Sequence, residues 1–342
     1  MLNTDYKNSI KEYCELLGLE LIGFSKCRIF NELYPFLQSR QNNNVQCEFE
    51  EADIDKRINP FLYMEQGETI ITIAFPYFQG LNEEINNRFY FSKYALTKDY
   101  HIVLSEYLKK ICNHIESLGG KAIYFTDNNS LPERFLANNS GVGFIGKNGT
   151  LITEEYGSFV FLGEIITDLS IDEDTKCLLD CGACNLCVQS CPTDSISQHN
   201  PNICLSYITQ KKNIEDIYFE FLNGRIFGCD TCQDVCPYNK KAKKSQLIEF
   251  APYNFMIDIN PRDLIFLSNK EFKEKYKKTS AGWRGKSILQ RNALINLLFF
   301  IKRSPNNYKG VLENIKNKIN KGEICSPMVI DIYNRLLNIF KL

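Results

Sequence analysis

The residues best suited to chemistry in this 342-residue chain are its fourteen cysteines, nine of which lie between Cys177 and Cys236. Cys181, Cys184, Cys187 and Cys191, closed by Pro192, spell C-x2-C-x2-C-x3-C-P. Three thiolates on so tight a loop can clasp three irons of one cubane, while the fourth turns away to serve another cluster. A second run, Cys229, Cys232 and Cys236 followed by Pro237, repeats the last three cysteines of the first. Its missing first position falls at Ile226, which cannot ligate, and Cys204, between the two runs, can fill the vacancy. The crossed pattern assigns Cys181, Cys184, Cys187 and Cys236 to one [4Fe–4S] cluster and Cys191, Cys204, Cys229 and Cys232 to a second, with Cys177 a spare. C-x2-C pairs also hold zinc, but the x2, x2, x3 spacing closed by proline is the iron–sulfur pattern, as in two-cluster ferredoxins. Cys14, Cys27, Cys47, Cys112 and Cys325 are scattered and read as small, mostly buried apolar residues.

Two clusters imply one-electron transfers in sequence. A free carrier needs little beyond the cysteine segment, whereas here most of the chain flanks it, so the electrons are expected to serve a site inside this protein. The N-terminus carries Asp5, Lys7, Lys11, Glu12 and Glu15 among its apolar positions, unlike a signal peptide. No apolar run approaches the roughly 20 residues of a membrane span. A cytoplasmic protein with reduced thiols and no membrane partner is expected. Charge is uneven. Residues 262–342 hold 17 Lys and Arg against 6 Asp and Glu, a net of +11 in a chain whose total is −1. With Lys240, Lys241, Lys243 and Lys244 just upstream, this asymmetry predicts a polyanionic partner, against the plainer reading of a solvated lysine-rich face.

Gly141, Gly143 and Gly146 match G-x-G-x-x-G, but a dinucleotide fingerprint must follow a strand and open a helix. Here a helix-like stretch precedes and a strand-like one follows. Gly141 to Lys147 also matches G-x4-G-K, yet Asn148 stands where a P-loop needs Ser or Thr. What remains is a glycine loop permitting close approach to a bulky ligand, with Lys147 at its rim.

The elements that must position these groups follow from periodicity. Tyr6, Ile10, Tyr13, Cys14 and Leu17 predict a helix capped by Thr4 and stopped by Gly18. Residues 68–75 read as a strand closed by Pro76, 99–118 as a long helix ended by Gly119-Gly120, and 121–126 as a strand. Residues 131–139 read as helical, and 149–153 and 158–167 as strands joined at Tyr156-Gly157. Residues 177–240 show little periodicity, as expected of a segment folded around metal. Residues 285–342 return to helical spacing in three segments linked near Ser304-Pro305 and across 322–327, suggesting a short stack of antiparallel helices. The fold class is α+β.

Several of these segments together resemble the epoxyqueuosine reductase family. They are Arg57 with Asn59-Pro60, Tyr94-Ala95 leading to Asp99-Tyr100-His101, Thr126-Asp127 with Glu133-Arg134, and residues 141–148 and 157–164. Both cysteine runs, residues 204–209, and Gly285 with residues 290–293 complete the set, in order over about residues 50–296. The chain departs from the family at Asp127-Asn128-Asn129-Ser130, usually Asp-Thr-(Ser/Gly)-Pro, and at Phe144, usually Trp.

The resemblance implies reduction of an epoxycyclopentane on the wobble base of a tRNA to the cyclopentene, with electrons passing through the clusters to cobalamin. It implies Asp127 as proton donor. For the corrin it suggests Arg57, Tyr94, His101, Asp127, Gly146, Lys147 and Asn148. With only His101, His114 and His199 present, base-off cobalamin without a histidine on cobalt is expected. The implied domains are an α/β cobalamin-binding domain over 1–170, a ferredoxin-like insert over 171–245 and a basic HEAT-like tRNA-binding region over 246–342. The best tRNA-phosphate candidates are Lys240, Lys241, Lys243, Lys244, Arg284, Lys286 and Arg291. An external low-potential electron donor is required. The alternative is a cobalamin- and iron–sulfur-dependent reductase of a small molecule, like the reductive dehalogenases, which has no need of the basic segment.

Overall fold

The computed structural model describes residues 3–80, 89–127, 129–303 and 309–340. Its contacts divide it into two compact units, one of residues 1–80, 100–202 and 231–250, the other of 81–99, 203–230 and 251–342. This differs from the three consecutive domains expected from sequence. The reason is local pairing: the strand Tyr90–Phe91 runs parallel to Arg225–Phe227 and joins the second unit, while residues 231–250 return to the first.

The first unit is built on a four-stranded antiparallel sheet. Its strands are β1 (Leu21–Lys26), β2 (Thr69–Pro76), β3 (Ala122–Phe125) and β6 (Val160–Thr167), in the order β1-β2-β6-β3. The short hairpin of β4 (Phe144–Ile145) and β5 (Leu151–Ile152) carries the glycine loop at its turn. Register places Glu164 of β6 opposite Thr72 of β2 and Phe125 of β3. The β-branched run of β2 is buried along its whole length, as a central strand covered on both faces must be. The helix Tyr100–Ser117 buries Val103, Leu104, Leu108, Ile111 and Ile115, the stripe expected from its spacing, and Gly119 at φ +96° ends it. The first helix, Asn3–Leu16, already includes Thr4 and stops before Gly18 at φ +76°.

The second unit has a helical core. The helix Lys286–Arg303 packs on Pro261–Ile265, on the strand Arg225–Phe227 and on the helix Pro327–Phe340, with Lys309–Asn320 between them in sequence. These are the three C-terminal helices expected, and the Ser304-Pro305 link lies outside the described residues. Lys286–Arg303 is weakly amphipathic because its polar residues are buried as well. Gln290 binds the Ile265 carbonyl at 2.8 Å, Asn292 those of Thr209 and Ile226 at 2.7 and 2.8 Å, and Asn296 that of Arg225 at 2.8 Å. Carbonyls at helix ends and on the short strand that would otherwise be buried without a donor are satisfied in this way. No described helix is long and apolar enough to cross a membrane.

Candidate functional site

Cys181, Cys184, Cys187 and Cys236 line one open cavity, together with Lys147, Asn148, Ile152, Leu186 and Tyr238. Gly182, at φ +51°, turns the loop, and the Cys184 N–H donates to the Cys181 carbonyl at 3.1 Å. Cys236 arrives from the second run. It precedes the short helix Pro237–Lys240, whose Asn239 accepts from the Ser158 N–H at 2.7 Å and donates to the Gln233 carbonyl at 2.8 Å. Gly157, at φ +57°, is required there, since a Cβ would collide with the Asn239 side chain. Burial first, then the neighbouring Cys181 and Cys184, push the Cys187 thiol up, as expected where like charges converge. Among the described residues no three acidic, imidazole or thiol groups converge tightly enough for a single ion. The four thiols that line the cavity are those the sequence spacing assigns to one cluster.

The glycine loop belongs to this cavity. The Lys147 N–H donates to the Cys181 sulfur at 3.4 Å, and its ammonium binds the Gly182 and Cys184 carbonyls and the Asn185 side chain at 2.8–2.9 Å. Asn148 closes the turn by accepting from Thr150. Gly146 packs against Ile152, where a Cβ would collide. The Lys147 ammonium binds the cysteine loop, the Asn148 side chain closes the turn, and both residues line the same cavity. Phe144, in the position the family fills with Trp, is buried edge-on to Tyr238 at 5.2 Å, in a cluster with Cys236, Cys177 and Cys181. The spare Cys177 is pinned through its backbone to Asn138.

Of the second ligand set, Cys191 and Cys232 lie in the first unit, where the short helices Leu186–Ser190 and Thr231–Asp234 pack together. Cys204 and Cys229 lie in the second. Cys204 precedes the helix Leu205–Ile208, and the Cys229 sulfur accepts from Arg225 Nε at 3.2 Å.

Asp127 follows β3 at φ +50°, a left-handed backbone that a non-glycine residue adopts only when its surroundings enforce it. Glu133 enforces it, accepting from the Asp127 N–H at 3.1 Å and from Asn129 Nδ2 at 3.0 Å. The Asp127 carboxylate is half exposed, accepts from the Tyr100 hydroxyl and lies 3.7 Å from His101 Nε2. Tyr100 is stacked between His101 and Phe161, each at 4.2 Å. Behind the loop, Glu164 is fully buried, as is the hydroxyl of Thr72 opposite it. Burial first, then Glu133 and Asp127, hold the Glu164 carboxyl well above its ordinary range. Burial and then Asp127 raise Glu133 to about 7.

Other sequence candidates are engaged elsewhere. Arg57 pairs with Glu50 at 3.2 Å, Tyr94 accepts from Gln210 at 3.2 Å, and His114 meets Ser9 at 3.0 Å. Lys240, Lys241, Lys243 and Lys244 are exposed, Lys243 pairing with Glu155 at 2.7 Å. Arg284 donates to the Gln210 carbonyl, and Lys286 is half-buried. Arg291 is a correction. It is 0% exposed and donates to the carbonyls of Lys211, Lys212 and Thr209, so it holds the fold and cannot meet a phosphate. Sequence reasoning missed Glu164 and Arg225 as site residues. A carboxylate in the apolar run of β6 was the available signal for the first, and an arginine four residues before Cys229 for the second.

The family profile described as epoxyqueuosine reductase QueG, DUF1730, matches residues 57–128, and that of the 4Fe-4S double cluster binding domain matches 180–239. The epoxyqueuosine reductase of Bacillus anthracis is 36% identical over 309 residues, covering 87% of this chain and 81% of that one. The Bacillus subtilis enzyme is 33% identical, covering 86% and 79%. The crystal structure of an epoxyqueuosine reductase with an epoxyqueuosine-modified tRNA-Tyr stem loop aligns at a TM-score of 0.81 and 33% identity, covering 87% and 82%. The Streptococcus thermophilus enzyme aligns at 0.87 and 31%, covering 97% and 89%. The chain belongs to the epoxyqueuosine reductase family.

Proposed function

We propose that this enzyme reduces epoxyqueuosine in the anticodon of a tRNA to queuosine, drawing electrons through two [4Fe–4S] clusters. The observation that carries the reading is Asp127, held left-handed by Glu133 with Tyr100 and His101 on its carboxylate, in a unit that also carries a four-cysteine cavity. Opening an epoxide leaves an alkoxide, a poor leaving group, and a positioned acid lowers that barrier. Asp127 is exposed enough to reach substrate and fixed enough to aim. Tyr100 and His101 orient the carboxyl and are able to return its proton. Net, the substrate takes two electrons and two protons, and its oxygen leaves as water.

Base-off cobalamin is the cofactor of this reading. The stacked Tyr100, Phe161 and His101 with Asp127 offer the flat apolar and hydrogen-bonding surface that suits a corrin and its amide rim. Bound there, cobalamin supplies a strongly reducing cobalt centre. The same reading includes a ferredoxin-like arrangement of residues 171–245 and a HEAT-like arrangement of the C-terminal helices. Lys240, Lys241, Lys243, Lys244, Arg284 and Lys286 supply phosphate contacts, since backbone charge dominates nucleic-acid affinity. A wobble base splayed from its loop is within reach of such a site at small cost.

The test is anaerobic reconstitution with iron, sulfide and cobalamin, then turnover on tRNA bearing epoxyqueuosine with a chemical reductant. Queuosine in the digested tRNA, detected by mass, is the expected product. Dehalogenation of a haloaromatic with the tRNA epoxide left intact identifies a small-molecule reductase instead.

A further inference from the structure

One strong cation contacts a cluster cysteine and takes no part in the chemistry above. Arg225 is only 7% exposed, and its Nε donates to the Cys229 sulfur at 3.2 Å. The other end of the guanidinium donates to the carbonyls of Phe221 and Leu222, both at 3.2 Å, at the C-terminus of the helix Phe219–Leu222. Asn223 and Gly224, both left-handed, end that helix and turn the chain into the strand Arg225–Phe227. Asn296 fixes the turn by accepting from the Gly224 N–H and donating to the Arg225 carbonyl. The guanidinium carbon sits 5.7 Å over the Tyr90 ring. Gly228, at φ +79° and crowded by Ser92 and Tyr94, then folds Cys229 back beside Arg225. Backbone on both sides therefore fixes the contact.

We propose that Arg225 sets the reduction potential of the cluster that Cys229 ligates, holding it above the value it would otherwise have. A cubane on four thiolates carries one more negative charge reduced than oxidised. A fixed cation in contact with a ligand sulfur favours the reduced form, and an N–H···S bond withdraws charge from that sulfur in the same direction. Guanidinium stays charged at any working pH, and its burial keeps the interaction from being screened. Among the described residues, Cys181 of the other set receives a backbone N–H at 3.4 Å, and the ammonium of that residue, Lys147, binds carbonyls in an exposed position. The electron arriving from a low-potential one-electron donor is thus stabilised on the Cys229 cluster, which acts as the holding point between donor and substrate. Arg225 is a positioning residue in this sense, not a catalytic one.

The proposal rests on Cys229 being a cluster ligand, and the two can fail separately. If Cys229→Ala retains the full iron and sulfide of the reconstituted chain, the ligand assignment falls. The proposal itself is read by potentiometric titration of both clusters by EPR in the full-length reconstituted protein. In Arg225→Gln, one cluster is expected to shift its reduced-to-oxidised ratio at fixed potential about tenfold towards oxidised, which is about 59 mV for a one-electron couple. The other cluster stays put. Arg225→Lys keeps the charge, loses the fork, and shifts the same cluster less. Resonance Raman of the wild-type protein should show a deuterium-sensitive Fe–S(Cys) band. Wild-type titration of both clusters in Arg225→Gln, with iron and sulfide intact, overturns the proposal. If that variant does not hold its clusters, an unmoved Arg225→Lys together with a deuterium-insensitive band overturns it equally.

Discussion

The cavity walled by Cys181, Cys184, Cys187 and Cys236 and the surroundings of Cys229 meet the same electrostatic problem in different ways. Each must gather thiolates that repel one another. In the first, repulsion is eased by a loop: Lys147 spreads its ammonium over two carbonyls and a side-chain oxygen, and touches sulfur only through its N–H. Around Cys229 a guanidinium that is almost wholly buried touches sulfur directly. An exposed lysine organises the chain that carries the ligands, whereas a buried arginine acts on the charge of the ligand itself. The glycine loop, so suggestive of a nucleotide or corrin site, is part of the first solution.

The largest effect is expected when a ligand of the first cavity is removed. Cys184→Ala should lower iron from about eight to about four per chain and abolish tRNA turnover, with the EPR signal of the Cys229 cluster preserved. Loss of both clusters together would show that the two environments fold as one. Next comes the proposed proton donor. Asp127→Asn should retain iron, sulfide and corrinoid yet lose about 10²–10⁴-fold in turnover, measured as queuosine formed per minute. A near-normal rate removes Asp127 from the mechanism.

The buried arginine of the second unit that serves carbonyls instead of sulfur gives a third test. Arg291→Ala removes the donor to the part-buried carbonyls of Lys211 and Lys212 and leaves that of Thr209 to Asn292 alone, at about 1–3 kcal/mol for each group left unsatisfied, so thermal denaturation should show a drop of several degrees. Charge reversal at Lys240 and Lys241, both exposed, should leave the melting temperature unchanged and flatten the salt dependence of tRNA binding by roughly 0.7–0.9 log units per lost phosphate contact. Equal damage to stability in both variants would mean the surface lysines are structural too.

The smallest expected effect concerns the clamp on Asp127. Burial and the Asp127 charge raise Glu133 to about 7, while an unfolded glutamate titrates near roughly 4.3. The folded state therefore keeps a proton that the unfolded state has released across that window, and this group's share of stability falls as pH rises from about 4.3 through 7. Glu133→Gln should flatten the decline of melting temperature over that range. An unchanged slope would remove Glu133 from the pH dependence.

The sequence by itself determined the clusters, most of the regular elements and the family. Ligand spacing is a local property of a loop, and helix stripes, β-branched runs and terminating glycines such as Gly18 and Gly119 act over a few residues. Tertiary structure alone decided which side of the chemistry each polar residue serves. Arg291 and Arg225 look alike in sequence, yet one satisfies the carbonyls of 208–212 and the other faces sulfur, because that depends on where distant chain turns back. The same holds for Lys147, drawn to a loop some 35 residues away, and for the buried Glu164, whose burial comes from strand order in the sheet. The interleaved units were hidden for the same reason: a two-residue strand at Tyr90–Phe91 has no periodicity to read, and only its pairing with Arg225–Phe227 assigns it to a unit.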